Sequence, residues 1–357
     1  MEAFVYTASP SRVIFGPGAS SKLPEELARE GRHAALILST PQQVGEAERI
    51  RDLLGPNAVG IFSEATMHTP TEVTEKALAV AQDLKADCVV AVGGGSTTGL
   101  GKAISVRTGL LHICIPTTYA GSEMTPILGE TANGRKTTRR DTKILPGIVI
   151  YDVDLTMTLP QNLSATSGVN AIAHAVEALY APDTNPIIKL LAKEGVRALA
   201  EALPVIVKDG SDAAARSKAL YGAWLCGLCL GSTAMSLHHK LCHTVGGSFD
   251  LPHAETHTIL LPHTIAYNSP AVPAAMRELA DALPDADGDA IEGLNRLLGR
   301  IGVERALKTY GMREEDIDRA AAIAMENRYY NPREVDQTKL RELLRRAWAG
   351  EPAKTDL

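Results

Sequence analysis

Val90-Ala91-Val92-Gly93-Gly94-Gly95-Ser96 is the stretch on which the fold turns. A short apolar run of strand-forming residues meets three glycines and a serine. Beyond it, Thr97-Thr98-Gly99-Leu100-Gly101-Lys102 opens a helix. Glycines let a backbone approach a phosphate closely, and a helix N-terminus supplies unpaired N–H groups and partial positive charge. The run is neither G-x-G-x-x-G nor a P-loop, which needs a Lys-Ser/Thr pair. On its own it reads either as a phosphate cradle or as a tight turn that requires φ > 0.

Working outward, strand-like runs at residues 12–15, 33–39, 58–62, 88–92 and 111–115 alternate with helical patterns at 21–30, 41–54, 71–84 and 98–106. That is a βαβ series, which folds as a parallel sheet covered by helices on both faces. Ile115-Pro116-Thr117-Thr118-Tyr119-Ala120-Gly121-Ser122-Glu123 ends the next strand in a second small, hydroxyl-rich loop. Open α/β sheets bind ligands at such strand ends, so the two loops together predict a nucleotide site. Asn133-Gly134 is a hairpin signal, and one more strand follows at 147–151. From Asn170 onward the periodicity is mainly helical, at 170–180, 186–203, 213–232 and 339–349. The expected architecture is an α/β Rossmann-like domain, residues 1–157, followed by an all-α domain, residues 158–357. Residues 351–357 read as a frayed tail.

Composition narrows the function classes. At 357 residues the chain fits about two domains, and 45% hydrophobic residues fill a core without disulfides. A net charge of −6 and 4% aromatics argue against nucleic-acid binding. No basic start precedes an apolar run at the N-terminus, and no apolar stretch reaches the ~18 residues of a membrane span. The expected compartment is the cytoplasm. Cys226 and Cys229 form a C-x-x-C inside an apolar helical pattern with no second pair, so they read as helix packing rather than a redox or metal site.

Six of the ten histidines lie between positions 238 and 263. His239 and His243 are four apart on one helix face, as are Asn170 and His174 upstream. Converging imidazoles suit a borderline metal, proton transfer or anion recognition. Singly, His257 and His263 read as structural.

These motifs together resemble the iron-containing alcohol dehydrogenase family, whose fold is similar to that of dehydroquinate synthase. The resemblance rests on Phe15-Gly16-Pro17-Gly18-Ala19, Gly93-Gly94-Gly95-Ser96, Pro116-Thr117-Thr118 with Gly121-Ser122-Glu123, Asp152 through Leu159-Pro160, residues 168–177 and residues 239–253. It implies a nicotinamide cofactor, NADH or NADPH. In the family a divalent metal is held by an aspartate, a histidine four residues on, and two later histidines fourteen apart. The matching positions are Asn170, His174, His239 and His253. An amide at 170 gives a cation only a weak oxygen, so no bound metal is expected. Many members also carry an aspartate three residues after the loop serine, where this chain has Gly99.

Both departures resemble one branch, the maleylacetate reductases, as do Ser39-Thr40-Pro41-Gln42-Gln43 and Asn331-Pro332-Arg333. The resemblance implies reduction of the maleylacetate carbon–carbon double bond to give 3-oxoadipate in bacterial aromatic degradation, by a homodimer. It assigns Thr40, Gly94, Gly95, Ser96, Thr97, Thr117, Thr118, Ser122 and Lys143 to the cofactor. His243, His253 and Lys240 become candidates for catalysis, and Asn170, His174, His239 and Tyr119 for binding a dicarboxylate. Ser39–Gln43 holds no acid to repel a ribose 2′-phosphate, which predicts that NADPH is tolerated. The alternatives are a metal-dependent alcohol or aldehyde oxidoreductase of the same family and, more distantly, a dehydroquinate synthase-like lyase or a non-catalytic nucleotide binder.

Overall fold

The protein is described by a computed structural model covering residues 4–8, 11–132, 135–326 and 329–357. It divides into two compact units. One is Ala8–Leu159, and the other joins the N-terminal stretch ending at Thr7 to Pro160–Leu357.

In the first unit the strands are β1 (Arg12–Gly16), β2 (Ala35–Leu38), β3 (Ala58–Phe62), β4 (Cys88–Gly93), β5 (Leu111–Pro116), β6 (Ile127–Ala132), β7 (Arg135–Arg140) and β8 (Ile148–Asp152). The helices are α1 (Leu23–Arg29), α2 (Val44–Leu54), α3 (Thr71–Asp83) and α4 (Gly95–Thr108). Six strands form a parallel sheet in the order β1-β8-β5-β4-β2-β3. Every residue of β2, β4 and β8 is buried, as sheets covered on both faces require. The connection from β2 runs outward to β3, and that from β4 runs the other way to β5. The neighbours β2 and β4 therefore flank the switch point of the sheet, where a crevice opens at the strand C-termini. β6 and β7 pair as a separate antiparallel ribbon. Its turn signal, Asn133-Gly134, lies outside the described residues.

Lys102 pins this unit from inside. It is fully buried, and its ammonium donates to the Ser122 carbonyl at 2.6 Å, the Ile127 carbonyl at 2.8 Å and Thr125 Oγ1 at 2.9 Å. Burial lowers its pKa to about 8. Gly101 makes room beside it: a Cβ there would lie 2.1 Å from His112 Nε2.

The second unit contains α5 (Gln161–Tyr180), α6 (Pro186–Lys208), α7 (Ala213–Ser232), α8 (Leu237–Phe249), α9 (His253–Asn268), α10 (Pro273–Ala282), α11 (Ala290–Ile301), α12 (Asp316–Met325) and α13 (Gln337–Ala349). α5 starts nine residues before the expected Asn170 and is buried from Ser164 to Tyr180, on all sides, as a central helix must be. α6 runs past the expected end at 203 and through Pro204. Asn185 and Asp212 cap α6 and α7 through backbone N–H groups of the first turn. Gly195 and Gly222 let these two helices approach closely, and a Cβ on Gly195 would lie 2.8 Å from Cys226 Sγ. Cys226 and Cys229 are buried there, their thiols held protonated by burial. No single helix among the described residues is long and apolar enough to cross a membrane.

Residues 351–357 are not frayed. Arg345 pairs with Glu351, Arg346 with Asp356, and Arg333 donates to the Leu357 carbonyl at 2.7 Å. Charge pairing and the buried Ala353 hold the tail where composition alone suggested none.

Burial pushes His112 and His263 down to about 3, helped by Lys102 for the first and by Arg305 and Arg346 for the second. The unfolded rings protonate near 6.5 while the folded rings stay neutral. Stability is therefore lost as pH falls from 6.5 toward 3, by roughly 1.4 kcal/mol per pH unit for each ring. Urea unfolding at pH 7 and pH 5 should show this drop, and His112→Asn should flatten it; an unchanged slope in that variant contradicts the assignment.

Candidate functional site

The cofactor cradle is built on the first unit. α4 begins at Gly95 with Gly94 as its N-cap and no side-chain cap, so its first N–H groups stay available to an anion. Gly95 is exposed and Ser96 half-buried, and no atom lies within 4 Å of the place a Gly95 Cβ would fill. Gly93 has φ +145°, and a Cβ there would lie 2.6 Å from both Gln43 Oε1 and Thr97 Oγ1. A Cβ at Gly94 would lie 3.0 Å from Thr118 Cγ2. Thr97 Oγ1 donates to the Gly94 carbonyl at 2.8 Å, which stiffens the turn. Gln43 Nε2 donates to Thr117 Oγ1 at 2.8 Å and so ties the loop after β2 to the loop after β5. The structure thus gathers Gly94, Gly95, Ser96, Thr97, Thr117 and Thr118 around the switch point. Thr40 is half-buried, capping the turn of Pro41–Gln43. The Ser122 carbonyl is held by Lys102, and Lys143 is exposed, its backbone N–H bound to Asp141. Tyr119, expected to bind a dicarboxylate, is fully buried. The Gly16-Pro17-Gly18 turn has a structural use: Asp152 accepts from the N–H groups of Gly18 and Ser20 at 2.9 Å.

The histidine cluster lies in the second unit, on α5, α8 and α9. Glu177 is its anchor. The carboxyl group is fully buried and caps α8 from a neighbouring helix, accepting from the N–H of Ser236 at 2.8 Å and of His238 at 2.7 Å. Its Oε2 also faces His239 Nδ1 at 2.7 Å. An acceptor of two backbone donors acts as an acceptor here too, so Nδ1 of His239 carries the proton and Nε2 the lone pair. That lone pair faces His174 Nδ1 at 2.9 Å, which places the His174 proton on Nδ1. Asn170, one turn before His174, is buried, and its Oδ1 has no hydrogen-bond partner among the described residues.

Around this core, His243 and His253 are exposed and stacked, centroids 6.4 Å apart and planes at 20°. His257 is fully buried, with ring centroids 4.5 Å from His253, 5.1 Å from His239 and 6.1 Å from His174. His257 Nδ1 meets His238 Nε2 at 3.0 Å. Burial, reinforced by the neighbouring imidazoles, lowers the pKa of both His238 and His257, so both rings are neutral. His238, Cys242 and His257 place their ligand atoms within 4.8 Å of one another, although burial keeps the Cys242 thiol protonated.

The structure therefore brings Asn170, His174, His239, His243 and His253 together. It does not bring in Lys240, which points to another face of α8: its ammonium donates to the Glu326 carbonyl at 2.9 Å and lies over the ring of Tyr329. Successive helical residues are rotated by about 100°, which here carries Lys240 away from the cluster. Glu177 was missed in the sequence, although its i+3 spacing from His174 puts it on that face. His257 belongs to the cluster rather than to the background, and His263 stays outside it.

Comparison with known proteins gives the class. Residues 10–153 match the family model for iron-containing alcohol dehydrogenase, and residues 164–348 match the model for the C-terminal part of the Fe-containing alcohol dehydrogenase family. The chain belongs to the iron-containing alcohol dehydrogenase family and is an oxidoreductase. Within the family its close relatives are maleylacetate reductases. That of Rhizobium sp. is 55% identical over 98% of this chain and 99% of its own length, and that of Sphingobium indicum is 52% identical over 99% of both. The crystal structure of maleylacetate reductase from Agrobacterium tumefaciens superimposes with a TM-score of 0.95 at 54% identity, covering 99% of this chain and 100% of that one.

Glu177 sets a stability test. Glu177→Ala leaves two backbone N–H groups and one imidazole N–H buried without an acceptor, at about 1–3 kcal/mol each. Chemical denaturation should show a loss of roughly 3 kcal/mol or more, with a smaller loss for Glu177→Gln, which keeps one acceptor oxygen. Wild-type stability in the alanine variant would refute the anchoring role.

Proposed function

We propose that the chain uses NADH or NADPH to reduce the carbon–carbon double bond of maleylacetate to 3-oxoadipate, in the breakdown of aromatic compounds. The observation that carries this reading is Asn170, an amide among imidazoles where the family places a metal-binding carboxylate. Maleylacetate is a dianion with a ketone conjugated to its alkene. A carboxylate at 170 would repel it, and an amide does not. The relatives named maleylacetate reductase support the same substrate.

The cofactor supplies a hydride, and the chemistry directs it to the alkene carbon β to the ketone. The vacant space at Gly95 and the uncapped start of α4 fit its pyrophosphate, with Ser96, Thr97, Thr117 and Thr118 as the polar lining. The loop after β2, Ser39-Thr40-Pro41-Gln42-Gln43, holds no acid to exclude a 2′-phosphate, which supports tolerance of NADPH.

Charge then builds on the ketone oxygen, and the α carbon needs a proton. His243, exposed and stacked on His253, is the proton donor in this reading. His253 supplies an N–H for the enolate or a carboxylate. Lys240 is left out, because its ammonium is held by Glu326.

The donor set does not suit the family's metal. The His239 lone pair already accepts from His174, and position 170 offers an amide. No step is derived through a metal. The exposed apolar Phe4, Val5 and Tyr6 support a homodimer, and free, buried thiols throughout support a reducing cytoplasm.

NADH absorbance followed after adding fresh maleylacetate, with and without EDTA, tests the reading. Oxidation is expected to survive EDTA. His243→Ala and His253→Ala should each lower turnover by about 10²-fold or more, while leaving the unfolding midpoint near wild type. Inactivity on maleylacetate, with metal-restored activity on simple aldehydes, would assign the chain to the metal-dependent members instead.

A further inference from the structure

Thr264, His238 and His257 form a second hydrogen-bonded chain, separate from the one that starts at Glu177. Thr264 is fully buried in α9, and its hydroxyl has two carbonyl acceptors, Leu261 at 2.9 Å and Leu260 at 3.1 Å. Its proton is spent on them, so Oγ1 is an acceptor toward His238 Nδ1 at 3.1 Å. A neutral imidazole carries one proton. With it on Nδ1, the Nε2 of His238 is a lone pair and accepts from His257 Nδ1 at 3.0 Å. His257 then has its own proton on Nδ1 and a lone pair on Nε2. That Nε2 is buried and has no hydrogen-bond partner among the described residues. It is the open end of the chain, in a ring whose centroid lies 4.5 Å from that of His253.

The opposite proton order fails on the same geometry. It would turn the Thr264 hydroxyl away from both carbonyls and leave a buried N–H of His257 without an acceptor, an arrangement native proteins rarely keep. The same chain argues against reading His238, Cys242 and His257 as a metal site. Its two rings are already joined by a hydrogen bond, and the third member is a thiol that burial keeps protonated.

We propose that His257 is a fixed hydrogen-bond acceptor inside the histidine cluster, and that Thr264 and His238 are positioning residues that set its tautomer. The group that completes it is an O–H donor, a water molecule bound inside the cluster. A carboxylate is refused at this point, because lone pair would face lone pair. The proposal takes the cluster as the site of the reduction proposed above, but its first readout does not depend on that reaction.

The test uses the full chain with ¹⁵N-labelled histidine. NMR of the wild type should show both His238 and His257 protonated on Nδ1. Thr264→Val keeps the shape and removes the acceptor. The His257 proton should move to Nε2, kcat with maleylacetate should fall about tenfold, as loss of an outer hydrogen-bond partner does elsewhere, and KM for NADH should stay unchanged. Thr264→Ser restores the hydroxyl and should recover both the tautomer and kcat.

A wild-type His257 protonated on Nε2 overturns the proposal. So does a valine variant with wild-type kcat, or a serine variant as impaired as the valine one. A thiolate charge-transfer band on adding Co²⁺ to the wild type would show a metal site and also overturn it. Failure of the wild type to reduce maleylacetate would sink the proposed substrate alone, since the NMR comparison still decides the tautomer.

Discussion

A carboxyl group with no exposure must find its hydrogen bonds inside the protein, and Glu177 finds all of them at the start of α8. This one requirement orders the candidate site. It fastens α5 to the N-terminus of α8, where the unpaired N–H groups and the helix dipole favour a negative group. It also sets the proton of His239, and through it that of His174. The imidazoles are therefore not a loose collection of titratable rings. Their orientation follows from a capping interaction that the fold needs in any case, so a residue that stabilises the helix also prepares the chemistry.

The first unit uses helix ends differently. α4 leaves its N-terminus without a side-chain cap, and the space before it is kept clear by glycines whose missing Cβ atoms would strike Gln43, Thr97 or Thr118. One helix N-terminus is satisfied from within the protein, and the other is left for a ligand. Lys102 makes the second arrangement rigid, because its three donors tie α4 to the segment from Ser122 to Ile127. A buried ammonium is tolerable there only because carbonyl and hydroxyl oxygens surround it.

Much of this was legible in the sequence, and for identifiable reasons. Strand and helix alternation up to β5 is written in hydrophobic period, and the start of the glycine loop is written in residue type. Spacing placed His174, His239, His243 and His253 on helix faces. Spacing also carried information that went unused. Glu177 sits at i+3 from His174, and Lys240 sits one residue off the His239 face. Other features depend on partners distant in sequence and have no local signature. Arg333 reaching Leu357, Arg346 reaching Asp356 and the burial of Tyr119 are of this kind. His257 looked ordinary because its role arises only when Thr264, one helical stretch along, meets His238 from a different helix.

Exposure divides the labour within the cluster. His174, His239, His257 and Asn170 are buried, and two acceptors among them, Asn170 Oδ1 and His257 Nε2, have no partner among the described residues. An interior that presents lone pairs repels carboxylate oxygens and welcomes a hydroxyl. Only the outer pair, His243 and His253, is open to solvent and able to meet a charged end group. In the reading proposed above, a carboxylate of the substrate is therefore met at the rim, by His243 and His253. The proton positions of the neutral groups behind that pair are set by folding, through Glu177 for His239 and then His174.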